Sequence, residues 1–305
     1  MAYQLDLRDL RYFETIAELG HLGQAAKRVH RTQPALTSCV RRLEAAFGTP
    51  LFDRVGRGIR LTPAGALLLA RAQRLRLAAD ETTREMAEVA RGVTGLIRLG
   101  VVPTAAQHLL PAACRSFLAD APGVTLKTVI GQGDVLTAEL KAGELDLIVA
   151  FDAKADDDFV AHDIFHDVAV VAAARSHEIH RKRVGMKDLL AYRWVLAAPT
   201  AETRQWLDQA FDGHGLPRPT VQIETNLVLL LPPLIESSEL LSFISRRHLD
   251  PGRAGAPLKE VPLKETTMRR TFRLIYRKDG YLSPAARRLV SLLRAKGKVL
   301  FQAEL

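Results

Sequence analysis

The densest group of hydrogen-bonding and cationic side chains lies between residues 27 and 60. It comprises Lys27, Arg28 and Arg31, then Gln33, Pro34, Thr37, Ser38, Arg41 and Arg42, then Arg54, Arg57 and Arg60. A glutamine amide can pair with an adenine edge, an arginine with guanine or phosphate, and short hydroxyls with either. Clustered arginines also neutralise phosphates and release counterions, the main source of sequence-independent affinity for nucleic acid. From Met1 to Ala78 there are thirteen Lys/Arg against six Asp/Glu, in a chain of 305 residues with net charge +9. The basic surplus is therefore concentrated at one end.

Three short helices and a hairpin are needed to hold these groups. Asp6 is a helix N-cap, and Leu7, Leu10, Phe13, Ile16 and Ala17 follow at helical spacing up to Gly20. A second helix runs from Leu22 to His30. Thr32 caps a third, with Pro34 in its first turn and Gly48 as its stop. On a wheel, Leu36, Val40, Leu43 and Phe47 fall within about 40° of one another as a core stripe. Pro34, Thr37, Ser38, Arg41 and Arg42 lie opposite, and Gln33 projects from the first turn. In isolation such a polar face is more often simply solvated; the coincidence of three helices, a wing and a basic cluster favours a groove-reading surface. Gly56 and Gly58 mark a hairpin turn, which sets Arg54, Arg57 and Arg60 on a wing for phosphate or minor-groove contact.

Thr62 and Pro63 open a further helix that runs to Arg91–Gly92. One heptad register puts Gly65, Ala72, Ala79 and Met86 on one seam position and Leu68, Leu75, Thr82 and Val89 on the other. Small residues on the first seam allow two such helices to approach closely.

Other chemistry is sparse. Cys39 and Cys114 are too few for a disulfide framework, lack a metal-binding spacing, and read as buried structural thiols. The nine histidines are scattered, and Asp156–Asp157–Asp158 reads as a solvated loop. There is no Gly-x-Ser-x-Gly and no Walker loop, so an enzyme is disfavoured and no cofactor is called for. The apolar run Leu227–Leu231 stops at Pro232–Pro233, and the first residues carry Asp6, Arg8, Asp9 and Arg11. A membrane span and a signal peptide are thus not expected, and the chain reads as cytoplasmic.

Beyond Gly95, short apolar runs alternate with helical stretches. Strands are expected at 96–102, 124–130, 145–151, 168–173, 194–198, 221–225, 240–244 and 272–276. Helices are expected near 105–119, 135–142, 201–213, 226–236 and 284–295. This alternation predicts an α/β domain with mostly parallel sheet, whose ligands bind at the carboxyl ends of strands. Four places there carry suitable groups: Thr104, the Gln132–Gly133 loop, Thr200 and Asn226. A second reading is a non-specific nucleoid-type DNA-binding protein. The concentrated N-terminal charge and the long α/β portion argue against it.

Residues 1 to about 90 resemble the DNA-binding region of LysR-type transcriptional regulators. The resemblance rests on Leu10–Arg11–Tyr12–Phe13, Ala25–Ala26, Thr32–Gln33–Pro34–Ala35–Leu36–Thr37, Arg42–Leu43–Glu44, and Pro50–Leu51–Phe52 leading to Leu61–Thr62–Pro63–Ala64–Gly65. It continues more loosely through Leu99–Gly100, Leu110–Pro111 and Gly143–Glu144–Leu145–Asp146–Leu147. It implies an α/β chain with an all-α winged helix-turn-helix head (1–61), a linker helix for dimerisation (62–91) and an effector-binding domain (92–305) of periplasmic-binding-protein type. Subdomain I would comprise about 92–165 and 269–296, and subdomain II about 166–268. The implied partners are double-stranded DNA, a small organic or aromatic acid between the subdomains, and further copies of the chain as a dimer or tetramer. Two departures stand out. Gly133 occupies a place where many relatives have a hydroxyl residue, and Pro232–Pro233 with Ser237–Ser238 replace the usual helix and glycine-rich turn before Leu240.

Overall fold

The computed structural model describes residues 5–56, 58–91, 95–151, 157–249 and 257–303. Two compact units are present, Met1–Gly92 and Val93–Leu305.

The first unit holds α1 (Leu7–Leu19), α2 (Leu22–Arg28), α3 (Gln33–Phe47), the hairpin β1 (Phe52–Val55) and β2 (Gly58–Leu61), and α4 (Pro63–Arg91). The expected caps form. Asp6 accepts from the Arg8 N–H, Thr32 accepts from the Ala35 N–H, and Gly20 and Gly48 close α1 and α3 in the left-handed region at φ 58° and 67°. Its core joins Phe13, Cys39, Leu43 and Leu51 in one cluster and Ile16, Ala25, Ala26 and Leu36 in another.

Two sequence expectations are corrected in this unit. Phe47 is 47% exposed, and Cys39, fully buried, takes its place in the α3 core stripe. The small residues opening α4 serve the head itself. A β-carbon on Gly65 would stand 2.1 Å from the Leu51 carbonyl oxygen. Ala72 is likewise fully buried, and Leu68 packs against the Phe13 cluster. Only the later seam residues, such as Leu75 and Met86, are exposed; the Val89 side chain lies outside the described residues.

The second unit contains, in order, β3 (Leu96–Val101), α5 (Pro103–His108), α6 (Leu110–Asp120), β4 (Thr125–Ile130), α7 (Gly133–Lys141), β5 (Leu147–Phe151) and β6 (Phe159–Ala174). There follow β7 (Arg193–Leu196), α8 (Glu202–Asp212), β8 (Thr220–Glu224), α9 (Leu231–Glu236), β9 (Leu241–Ser245), β10 (Leu258–Glu260), β11 (Met268–Arg277) and α10 (Pro284–Gln302). The sheet order is β4-β3-β5-β11-β6-β9-β7-β8, with β10 paired to β6. Parallel ladders join β3 to β4 and β5 at one end, and β7 to β8 and β9 at the other. In the middle β6 and β11 run antiparallel to each other and to their outer neighbours. The sheet is therefore mixed rather than mostly parallel. Pro232 and Pro233 do not abolish the helix before β9: they occupy the first turn of α9, where a missing N–H leaves nothing unpaired.

Candidate nucleic-acid interface and ligand cleft

Helix α3 carries its polar side chains away from the core. Gln33, Pro34, Ser38 and Arg41 are exposed, and Thr37 is half-buried with its hydroxyl donating to the Gln33 carbonyl at 3.0 Å. Arg42 behaves differently from the sequence expectation. Its Nη2 donates to both carboxylate oxygens of buried Asp9, at 2.8 and 2.9 Å, and its Nη1 to Ser38 Oγ at 3.2 Å. The guanidinium thus ties α3 to α1 while staying half exposed, because Asp9 has left water and needs a cation. Burial also pushes the Cys39 thiol up to about 12, with the neighbouring Asp9 carboxylate adding to the effect. That thiol is a packing group.

The wing packs on the core of the head through Phe52 and Ile59. Its register pairs Phe52 with Leu61 and Val55 with Gly58. The Ile59 N–H donates to the Gly20 carbonyl at 2.9 Å, an approach that a β-carbon on Gly58 would crowd at 2.9 Å. Arg54 and Arg60 are exposed on the two strands. Arg57 lies outside the described residues.

In the second unit a cavity of about 60 Å³ opens at the strand ends. It gathers Thr104, Gln132 and Asn226 from the sequence candidates, and adds Phe151, Arg204, Phe243, Ser245 and Arg270. Thr200 is exposed and, like Gly133, does not line this cavity. The Asn226 Oδ1 accepts from the Ala198 N–H at 3.0 Å, so its remaining polar atom is a donor. Beneath the cavity Arg270 and Asp167 face each other directly across the β11–β6 ladder. They are 4% and 5% exposed, and the Arg270 Nη2 to Asp167 Oδ2 distance is 2.6 Å. Arg270 Nε donates to the same oxygen at 2.9 Å, and Nη2 reaches Thr104 Oγ1 at 3.3 Å. The other Asp167 oxygen accepts from Ser245 Oγ at 2.7 Å. The guanidinium lies 4.9 Å from the Phe151 ring centre and 5.1 Å from that of Phe272.

A winged head and a separate cleft-bearing α/β unit are also what comparison with known proteins brings out. Residues 7–66 match the model of the bacterial regulatory helix-turn-helix protein, lysR family, and residues 90–298 match the LysR substrate binding domain. The chain belongs to the LysR family. It is 30% identical over 298 residues to the SDS degradation transcriptional activation protein of a Pseudomonas species, covering 94% of this chain and 95% of that one. It is 27% identical over 294 residues to the HTH-type transcriptional regulator GalR of Pseudomonas putida, covering 96% and 74%. Its fold is similar to that of full-length CbnR complexed with its target DNA, at TM-score 0.57, 22% identity and coverage of 95% and 99%.

This LysR-type chain is accordingly a DNA-binding transcription regulator with an effector-binding domain, not an enzyme. Among the described residues no helix is long and apolar enough to cross a membrane. Sequence reasoning missed Arg270, Asp167, Ser245 and Arg204. No local signal marked them: Arg270 and Asp167 sit in polar stretches of β11 and β6, and each gains its meaning from the buried partner on the other strand.

Proposed function

We propose that this regulator reads its operator in the major groove through Gln33, Pro34, Thr37, Ser38 and Arg41. The wing arginines Arg54 and Arg60, and Arg57 by sequence, hold the flanking phosphates. Arg42 acts as a positioning residue through Asp9. The exposed part of α4, with Leu75 and Met86, pairs with a second copy, and dimers pair further into tetramers on a palindromic site. The regulator works in the cytoplasm. The division into a head (1–61), a linker (62–91) and a sensor (92–305) agrees with this use. In the sensor, β6 and β11 pair over ten positions as the connection between the two halves.

The observation that carries this reading is the polar, exposed face of α3 on a helix whose other side is locked to α1. The cleft takes a small organic acid, supported by the convergence of Thr104, Gln132 and Asn226 on one cavity. Selection from a random duplex library provides the test. Arg41→Ala is expected to relax preference at one or two base positions by about 1–3 kcal/mol. Arg54→Ala and Arg60→Ala are expected to weaken every sequence alike, each lowering the salt slope by about one. The reverse pattern would mean that the groove-facing element has been misassigned.

A further inference from the structure

The sensor cleft has three places where an acid group could be held: the start of α7 at Gln132–Gly133, Arg204, whose Nε and Nη1 already donate to Asp208 and the Ala197 carbonyl, and Arg270. We infer that Arg270 reads the effector's acid group, because the start of α7 already faces a carboxylate of the chain itself, and that the effector is a short-chain carboxylate. This inference rests on the reading of the cleft as an acid sensor.

The α7 end comes first. A β-carbon on Gly133 would meet Glu202 Oε1 at 3.0 Å and Oε2 at 3.4 Å. The Glu202 carboxylate, from the first turn of α8, thus lies against the first residue of α7, close enough that a β-carbon at 133 would press on it. A carboxylate at the positive end of a helix is favourable, and its charge repels a second one. An incoming acid therefore finds this end taken.

Arg270 also faces a carboxylate, that of Asp167, but through Nε and Nη2, which leaves the Nη1 side of the guanidinium for a ligand. The Arg270 side chain is nearly fully buried and lines the cavity, yet among the described residues only Nε and Nη2 form hydrogen bonds. Among those residues Nη1 has no acceptor for its two N–H groups. Thr104 Oγ1 accepts from Arg270, leaving its own O–H to donate. Gln132 and the Asn226 amide nitrogen add further donors at the wall. The cavity is thus rich in donors, while Asp167 beneath it is already bonded to Arg270 and Ser245. A ligand oxyanion completes this set, and a guanidinium is the side chain best shaped to receive it.

Size narrows the class. The cavity is about 60 Å³, whereas about 150 Å³ holds a benzene ring. Phe151, Leu196, Phe243 and Ile244 supply an apolar wall for a few carbons. The same guanidinium bridges Thr104 on α5 to Asp167 on β6, and through Asp167 to Ser245 on β9. An acid bound to Nη1 therefore touches the network that joins the two halves of the sensor.

The test uses the full-length chain, propionate and benzoate as acids, and propionamide as the neutral isostere. Trp206 stacks on the cavity residue Phe243 at 5.6 Å and serves as the fluorescent reporter, with calorimetry as the second readout. Wild type is expected to bind propionate at least tenfold more tightly than propionamide or benzoate. Arg270→Lys, which keeps a cation beside Asp167, is expected to weaken propionate at least tenfold and propionamide less than twofold. The paired change Arg270→Gln with Asp167→Asn leaves no unpaired buried charge and is expected to do the same. Glu202→Gln is expected to alter propionate affinity less than threefold.

Propionate binding that ignores both Arg270 changes would overturn the inference while leaving the acid-sensing cleft standing. So would a tenfold gain from Glu202→Gln, which would return the acid site to α7. Tighter binding of benzoate than propionate would overturn the short-chain assignment. Failure of wild type to bind either acid would remove the acid-sensing reading itself, and this inference with it.

Discussion

Arg41 and Arg42 are neighbours on α3 with opposite fates, and exchanging each for alanine separates them. Arg42 donates twice to Asp9 at under 3 Å, and the Asp9 side chain is only 6% exposed while that of Arg42 is 49% exposed. Hydrogen bonds to charged groups of this kind contribute about 1.5–3 kcal/mol. The half-exposed guanidinium discounts that toward the lower end, about 1–2 kcal/mol for Arg42→Ala. Arg41 is exposed and its replacement is expected to cost under about 0.5 kcal/mol of stability. The assay is hydrogen exchange on peptides from α1 and α3, read by mass spectrometry, because the loss should be local to the head. A cost of 1–2 kcal/mol accelerates exchange of α1 and α3 by about 5- to 30-fold in Arg42→Ala. Arg41→Ala should leave it unchanged. The same two proteins are then compared on selected and random duplexes at one salt concentration, where only Arg41→Ala should narrow the difference. Unchanged exchange in Arg42→Ala, together with lost base preference, would refute the assignment of Arg42 as a brace.

Three further outcomes follow from the same geometry. Gly65→Ala drives a β-carbon into the Leu51 carbonyl, a backbone atom that cannot rotate away. A loss near the top of the overpacking range, about 3 kcal/mol, is expected in thermal or urea unfolding of the head, and an unaltered transition would contradict the placement of the first turn of α4. Leu75→Glu with Met86→Glu places charges at the exposed end of α4 and should weaken self-association at least tenfold by sedimentation; an unchanged dimer would move the interface elsewhere. The His180 imidazole is held below its ordinary value of 6.5, chiefly by burial and then by the Lys259 charge. The unfolded chain therefore takes up that proton first. The stability that neutral His180 confers is present above pH 6.5 and is lost as pH falls through the folded value. His180→Gln should flatten the acid limb of the stability curve below that point, and an identical limb in both proteins would exclude His180 as its source.

Much of the head was legible because its signals are local. Asp6, Thr32, Gly20 and Gly48 cap or stop helices through their own backbone and side-chain atoms, and each does so in the structure. The Phe47 placement failed, and the Asp9 partner of Arg42 was missed, for a common reason: a wheel shows which side a residue is on, not which neighbour awaits it. Asp9 and Cys39, thirty residues apart in sequence, settle the packing between them. In the sensor, strands with continuous apolar runs, such as β5 and β9, were readable. The polar start of β6, with His162, Asp163, His166 and Asp167, was not, because its partners come from β11 more than a hundred residues later. One predicted helix at 105–119 is two, α5 and α6, broken where Pro111 lacks an N–H. Thr104, Gln132 and Asn226 could be proposed from strand-end position alone. Arg270 could not, since its value depends on a cross-strand carboxylate and a hydroxyl contributed by α5.

The most direct test of a sequence-specific regulator is the ratio of its affinities for a selected operator and for random duplex of equal length, measured with the full-length chain at one physiological salt concentration. The account predicts a ratio of about 10³ or more. A ratio near one would contradict it and point instead to a protein that binds DNA by charge alone.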